Sequence, residues 1–142
     1  RLGYLMADRE ILAEMVKVHQ YRVSCVPTFV QKAGIVALDV DITDSLETYR
    51  KHRDYAYERL IKMGLNVNLP SGAFYLFPKI EEFGLDSYRF CQCLMHEVKV
   101  ACVPGSCFHA EGYLRISTCV SMKQLAEGLN RLESFIQQLR NN

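Results

Sequence analysis

The most regular alternation of apolar and polar positions lies at the C-terminal end of the chain. Apolar residues recur there at alternating intervals of four and three, at Leu125, Leu129, Leu132, Ile136 and Leu139. This spacing places them on one face of a helix. Ser121 and Gln124 have the three-residue separation of a capping box, so the helix is predicted to begin just after Ser121.

Four more helices are predicted from the same periodicity. The first follows Asp8 as its cap, the second has Pro27 in its first turn, and the fourth begins at Asp86 and Ser87. The third is longer, with Thr43 or Asp44 as its cap and Gly64 as its stop. The apolar positions expected on the inner sides of the first and third helices are Ile11, Leu12, Met15, Val16 and His19, and Leu46, Tyr49, Ala56, Leu60 and Met63.

Four short segments have the two-residue alternation of strands. "LNVNL" (65–69) and "AFYLFP" (73–78) flank the turn sequence "PSG" and predict a hairpin, in which Gly72 is expected to adopt a backbone geometry closed to other residues. "KVACV" (99–103) ends at Pro104 and Gly105, and "GYLRISTC" (112–119) follows.

The resulting order is three helices, two strands, a helix, two strands and a helix. This order predicts a two-layer α+β fold, with a small, mostly antiparallel sheet and helices packed on one face. A chain of 142 residues is of ordinary size for one domain. We therefore expect one small domain over residues 1–142.

Composition excludes several function classes. Apolar residues make up 49% of the chain, charged residues 23%, and the formal net charge is +1, which is typical of a soluble globular protein. No basic excess indicates nucleic acid, and no apolar run approaches the roughly 20 residues that cross a bilayer. Without a signal-peptide pattern at the start, a cytoplasmic protein is expected.

The six cysteines and four histidines do not predict a metal site or disulfides. Cys91 and Cys93 lie two apart in a predicted helix, where side chains do not face each other, and no second pair has a chelating interval. We expect reduced thiols that behave as small buried apolar residues. The opening "RLGYLMADRE" has no initiator Met and is apolar at once, so we expect a chain cut from a longer protein.

Arg115 is the residue that the pattern leaves unexplained. In "GYLRISTC", Leu114 and Ile116 alternate with it, so its guanidinium projects from the face opposite the predicted core. Desolvating such a charge is costly, which leaves two alternatives: an ion pair with a nearby Asp or Glu, or a bidentate grip on a ligand carboxylate. The turn at Pro104 and Gly105 brings this strand near a loop of the kind that lines clefts.

Two further groups of residues have side chains that can contact a ligand or act as nucleophiles. "AFYLFP" carries three aromatic rings that core packing explains for the most part, although Phe74 could present its ring to a ligand. The lysines lie on polar helix faces or near turns, where solvated lysines belong, so no nucleophile is predicted: Lys17, Lys32, Lys51, Lys62, Lys79, Lys99 and Lys123.

Taken together, "RLGYL", "PSGAFYLFP", "VPGSCF" and "GYLRIS" resemble, in order and spacing, the C-terminal part of a class I/II pyridoxal-phosphate-dependent aminotransferase of fold type I. The resemblance covers essentially the whole chain. It is closest to the bacterial aromatic-amino-acid, aspartate and N-acetyl-diaminopimelate aminotransferases. It implies the C-terminal small domain of such an enzyme, with residues 1–40 as the tail of the large domain and its docking helices.

The resemblance also implies roles for two residues. Arg115 matches the arginine that binds the substrate α-carboxylate, and Arg1 matches the arginine that contacts the phosphate of pyridoxal 5'-phosphate. The implied partners are an amino acid, a 2-oxo acid, the chain's own large domain and a second subunit of a homodimer. No catalytic residue and no metal ligand is assigned within the chain.

The family's Schiff-base lysine would lie upstream of Arg1, so the chain alone is expected to be inactive and not to bind the cofactor. Two alternatives to transamination stay open. One is a pyridoxal-phosphate-dependent carbon–sulfur lyase of the same fold, and the other is a non-catalytic dimerisation or interaction module.

Overall fold

The computed structural model describes residues 2–141, and the chain divides into two compact units at the boundary between Ile42 and Thr43. We call them the N-terminal unit and the C-terminal unit. The assignment of residues 1–40 to the tail of a large domain stays a prediction.

The N-terminal unit contains two helices, α1 (Arg9–Val23) and α2 (Thr28–Ala37). Both were predicted, but neither contains a buried residue. Asp8 stands at the N-cap of α1 without a side-chain capping bond. The predicted inner side of α1 is not covered by the described residues, since Ile11, Met15 and Val16 are between 44% and 52% exposed.

The C-terminal unit contains three helices and three short strands. In chain order these are α3 (Thr43–Lys62), β1 (Tyr75–Leu76), α4 (Ser87–Val98), β2 (Val103–Pro104), β3 (Leu114–Ser117) and α5 (Met122–Asn141). Two single 3₁₀ turns, Glu81–Phe83 and Gly105–Phe108, precede α4 and β3. The strand order is β1-β3-β2 and both pairs are antiparallel, which confirms the predicted α+β class.

Local sequence accounts for the ends of these helices. Ser121 Oγ accepts from Gln124 N at 3.3 Å and Gln124 Oε1 accepts from Ser121 N at 3.2 Å, so the predicted capping box is formed. Asp86 caps α4 by accepting from Arg89 N at 2.7 Å. Gly64 follows α3 with φ +81°, a left-handed geometry that favours glycine.

The core lies between the sheet and the three helices of the C-terminal unit. β3 contributes Leu114 and Ile116 from one face, and α5 contributes its predicted stripe together with Phe135, which the spacing did not single out. In α3 the C-terminal part of the predicted apolar stripe is buried, whereas Leu46 and Tyr49 near the N-terminal end are 52% and 39% exposed. The helical pattern was therefore correct in type, but tertiary packing covers only part of it.

Two predictions about the segment between α3 and α4 were wrong. Residues 65–69 form no strand, and a single hydrogen bond from Lys79 N to Asn66 O, 2.8 Å long, stands where a hairpin ladder was expected. The left-handed residue near this turn is Ala73, with φ +65°, and not Gly72. Residues 65–69 consequently add no strand to the sheet, although Leu65 and Val67 are buried in the core.

The cysteines also differ from expectation in their burial. All six are free thiols, and Cys25, Cys107 and Cys119 are exposed while the others are half-buried. Burial raises the pKa of Cys102 to about 12 and that of Cys91 to about 11.

None of the helices among residues 2–141 combines the length and the apolar content needed to cross a bilayer.

Candidate functional site

Arg115 lies in the middle of β3, on the sheet face opposite the core. Its strand neighbours Leu114 and Ile116 are buried, while Arg115 itself is half-buried. Val103 of β2 stands opposite it in the register. The predicted alternation is therefore confirmed, and the guanidinium projects from the face that the helices leave uncovered.

Two aromatic rings hold the guanidinium in place. Arg115 Cζ lies 4.4 Å from the ring centroid of Tyr75 on β1 and 4.5 Å from that of Phe108, at the end of the Gly105–Phe108 turn. Both distances are within the range of cation–π attraction. We call Tyr75 and Phe108 the aromatic cradle.

The first sequence alternative for Arg115, an ion pair with a neighbouring acid, is not what the described residues show. Two other arginines in residues 2–141 are half-buried, and each has a carboxylate: Arg53 pairs with Asp54 at 2.7 Å and Arg59 with Glu133 at 2.9 Å. Arg115 makes no ion pair or hydrogen bond with any residue between 2 and 141. Its N–H groups are thus available to a ligand, and a planar guanidinium suits a carboxylate.

A second set of ring contacts supports Phe108. Its ring packs edge-on against Phe77 with centroids 6.1 Å apart, and Phe77 stacks on Tyr113 at 5.2 Å. Phe77 follows β1 and Tyr113 precedes β3, so the aromatic row extends along the Arg115 face of the sheet. Aromatic rings therefore make up much of the surroundings of Arg115, and Ser117 lies on the same face of β3.

A carboxylate anchors the turn that carries Phe108. Glu111 accepts from Ser87 N at 2.5 Å and from Gly112 N at 2.9 Å, and its second oxygen accepts from Ser87 Oγ at 3.1 Å. The same hydroxyl oxygen accepts from Ser106 N at 3.1 Å. We call the side chains of Ser87 and Glu111, together with the backbone N–H group of residue Ser106, the Glu111 brace.

The electrostatics of the Glu111 brace favour the ionised carboxylate. Backbone hydrogen bonds from Gly112 and then Ser87 lower the pKa of Glu111. Ser87 is the first residue of α4, so the carboxylate also lies at the positive end of a helix dipole. Charge and hydrogen bonding therefore both tie α4 to the turn.

Gly105 lets this turn close. A side chain at this position would approach Tyr113 O to 2.7 Å and Ala110 O more closely still. Gly105 N donates to the same Tyr113 O at 2.9 Å. Any other residue would push the backbone of the turn away from β3.

Sequence reasoning singled out Arg115 but missed the residues that surround it. It named Phe74 as the ring that could face a ligand, whereas the ring over Arg115 is that of Tyr75, and Phe74 lies 5.8 Å from Tyr49. A cross-strand alternation count on "AFYLFP" could have placed Tyr75 and Arg115 on one face. Nothing local marked Phe108 or Glu111.

The predicted contact to the cofactor stays a prediction. Arg1, the predicted phosphate contact, lies outside residues 2–141. Among the described lysines, Lys79 forms an ion pair with Glu81 at 2.5 Å and Lys17 with Glu14 at 2.6 Å. Arg115, by contrast, contacts two aromatic rings.

Residues 43–141 form an α+β unit whose half-buried Arg115 has no acid partner among residues 2–141. The comparisons specify the class. The family model "Aminotransferase class I and II" matches residues 1–132, and the chain belongs to that family. Members of the family depend on pyridoxal phosphate.

Named relatives agree with this family. The chain is 47% identical to a probable N-acetyl-LL-diaminopimelate aminotransferase of Bacillus subtilis and 38% identical to an aspartate aminotransferase of Thermotoga maritima. The alignments cover 99% and 96% of this chain but only 37% and 35% of those relatives. The chain thus spans little more than a third of the relatives' length.

Solved structures give the same result. The fold is similar to the crystal structure of the Thermotoga maritima aspartate aminotransferase, with a TM-score of 0.84 and 38% identity over 95% of this chain and 35% of that one. An aromatic aminotransferase of Pyrococcus horikoshii matches with a TM-score of 0.81 and 35% identity, over 94% and 38% of the two chains.

Proposed function

We propose that this chain is the substrate-carboxylate-binding part of a pyridoxal-phosphate-dependent aminotransferase, in which Arg115 binds the α-carboxylate of the amino acid and of the 2-oxo acid. The observation that carries the proposal is the state of Arg115: a half-buried guanidinium, placed by two rings, without an acid partner among residues 2–141. A desolvated cation in this state is stabilised by an incoming anion.

Arg115 would act by orientation. Two parallel N–H···O bonds to a carboxylate fix both the position and the rotation of the substrate's α-carbon. Pyridoxal phosphate, when bound, supplies the electron-accepting ring that makes removal of the Cα proton feasible. The rings of Tyr75 and Phe108 replace part of the water around Arg115, which strengthens the charge–charge attraction.

The remaining parts of the site belong to the rest of the proposed enzyme. Arg1 is proposed to bind the cofactor phosphate, and the lysine of the reaction lies in the upstream large domain. Residues 2–42 of the N-terminal unit include no buried residue, and Tyr4, Tyr21 and Phe29 are exposed by 76% or more, which supports the packing of this unit against that large domain. We further propose that the enzyme is a cytoplasmic homodimer. Light scattering would measure the mass of the dimer.

The test is the pair Arg115→Ala and Arg115→Lys in the full-length enzyme. Loss of two charge-assisted hydrogen bonds should reduce kcat/KM at least about 100-fold in Arg115→Ala. Arg115→Lys keeps the charge but not the fork, so it should recover only part of the loss. The matched control is Arg131→Ala, which removes an exposed arginine paired with Glu127 and should leave kcat/KM within about twofold.

Two outcomes would contradict the proposal. An unchanged kcat/KM in Arg115→Ala would remove the carboxylate anchor. Release of 2-oxo acid at full rate without any acceptor 2-oxo acid would replace transamination by carbon–sulfur lyase chemistry. An amine substrate that lacks the α-carboxylate makes the Arg115→Ala test more specific. Its slow turnover should be the same in the wild type and in Arg115→Ala.

A further inference from the structure

The contacts of Arg115 differ in kind between the faces and the edge of its guanidinium. Cation–π attraction uses the face of the planar group, whereas hydrogen bonds to a carboxylate lie in its plane. Tyr75 and Phe108 both lie within 4.5 Å of Cζ, and no residue between 2 and 141 accepts from the N–H groups. The aromatic cradle can therefore hold the guanidinium while its donor edge stays free.

The two rings of the cradle are held differently. Tyr75 belongs to β1, whose register with β3 places it across from Ser117. Phe108 is outside the sheet, is 42% exposed and ends a single 3₁₀ turn. Its position depends on Phe77, on Gly105 and on the hydrogen bond from Ser106 N to Ser87 Oγ.

The Glu111 brace connects that turn to two rigid elements. Ser87 is fully buried at the start of α4, and Glu111 stands between the turn and β3, four residues before Arg115. Ser87 Oγ donates to Glu111 and accepts from Ser106 N. The loss of the Ser87 side chain or of the Glu111 side chain therefore releases the turn. The ring of Phe108 would then no longer be fixed over Arg115.

We propose that Phe108 is a positioning residue for carboxylate binding, held over Arg115 by the Glu111 brace. The proposal rests on the proposed function of Arg115 and adds to it. Phe108 does not touch the reacting atoms; it orders the guanidinium before the carboxylate arrives, so that less side-chain freedom is lost on binding. Its effect is therefore on KM for both the amino acid and the 2-oxo acid, with kcat nearly unchanged.

The experiment compares Phe108→Leu with Phe108→Tyr in the full-length enzyme. Leucine keeps apolar bulk but has no ring, so KM should rise about fivefold while kcat stays within about twofold. Tyrosine keeps the ring and should restore KM. A purely structural role would change the amount of folded enzyme, and hence the apparent kcat, without this separation.

A second readout does not depend on activity. The rings shift the NMR resonances of the Arg115 side chain through their ring currents, and this shift should shrink in Phe108→Leu and return in Phe108→Tyr. The arginine assignment comes from the disappearance of the same resonance in Arg115→Ala.

The Glu111 brace is tested by Ser87→Ala against Ser106→Ala. Ser106 contributes its backbone N–H, so Ser106→Ala leaves the brace intact and is the matched control. Ser87→Ala removes the hydroxyl that holds the turn, so the ring of Phe108 should leave Arg115 for part of the time. KM should therefore rise about threefold, which is less than in Phe108→Leu.

Several results would overturn the inference. A Phe108→Leu enzyme with unchanged KM and an unchanged Arg115 resonance removes the cradle, even when Arg115→Ala has lost activity and the proposed function stands. A loss in kcat alone shows that Phe108 acts elsewhere. If Arg115→Ala retains full kcat/KM, the proposed function fails first, and a KM effect of Phe108→Leu could no longer be attributed to the carboxylate anchor.

Discussion

Both units of this chain contain helices with a predicted apolar side, but the units differ in whether that side is buried. Among residues 2–141, every buried residue of the hydrophobic core lies between Ala56 and Ile136, in the C-terminal unit, whereas α1 and α2 of the N-terminal unit contain no buried residue. In the C-terminal unit, α3, α4 and α5 cover one face of a sheet. The comparison teaches that an apolar stripe predicts a helix reliably, but it predicts burial only where a second layer is present to cover it.

The largest expected difference between the units concerns two phenylalanines. Phe90 is fully buried against Phe135, with ring centroids 5.3 Å apart, and Phe90→Ala should lower the free energy of unfolding by about 4 kcal/mol. Phe29 is 76% exposed in this chain, so Phe29→Ala should cost less than about 0.5 kcal/mol when the 142-residue chain is unfolded without the proposed large domain. Urea unfolding followed by circular dichroism measures both. Equal losses would mean that the N-terminal unit has a core of its own.

Two glycines give the next contrast. Gly105→Ala places a methyl group against the backbone oxygens of Ala110 and Tyr113, which cannot move without opening the turn, and should cost about 3 kcal/mol. In the N-terminal unit, Gly34→Ala meets only the flexible end of the Leu2 side chain and gains helix propensity. Thermal unfolding should therefore show a clear loss for the first variant and none for the second. A stable Gly105→Ala protein would contradict the close approach at this turn.

Thiol reactivity compares the units without mutation. Burial raises the pKa of Cys102 to about 12, so very little of this thiol is ionised at pH 8. Cys25 in the N-terminal unit is exposed. Alkylation with iodoacetamide, read by mass spectrometry, should modify Cys25 at least about 100-fold faster than Cys102. Comparable rates would indicate that the C-terminal unit opens readily at Cys102.

The smallest expected effect is a pH dependence from Glu111. Its pKa is lowered in the folded state, so its stabilising contribution is present above the ordinary glutamate range of about 4.3 and is lost as the pH falls through the folded pKa. Glu111→Gln should therefore flatten the acid side of the stability curve. Glu14→Gln is the control, because Glu14 forms only an exposed pair with Lys17. Parallel acid titrations of the two variants would contradict the role given to Glu111.

The strand that bears Arg115 shows how far local reasoning reached. Alternation alone placed Leu114 and Ile116 inward and Arg115 outward, and all three positions are confirmed. The resemblance then assigned the carboxylate to Arg115, which stays a proposal. The predicted hairpin failed because pairing between residues 65–69 and β1 depends on register, which Ala73 disrupts with its left-handed backbone.

The sequence by itself determined the five helices, the caps of α4 and α5 and the inward face of β3, because hydrogen bonds within four residues and a fixed side-chain period decide those features. Tertiary structure alone decided what surrounds Arg115. Tyr75 comes from a strand forty residues earlier and reaches Arg115 through the pairing of β1 with β3, whereas Phe108 comes from a turn before β3. The same holds for Glu111, whose partner Ser87 belongs to another element, since such contacts depend on chain segments that no local period relates.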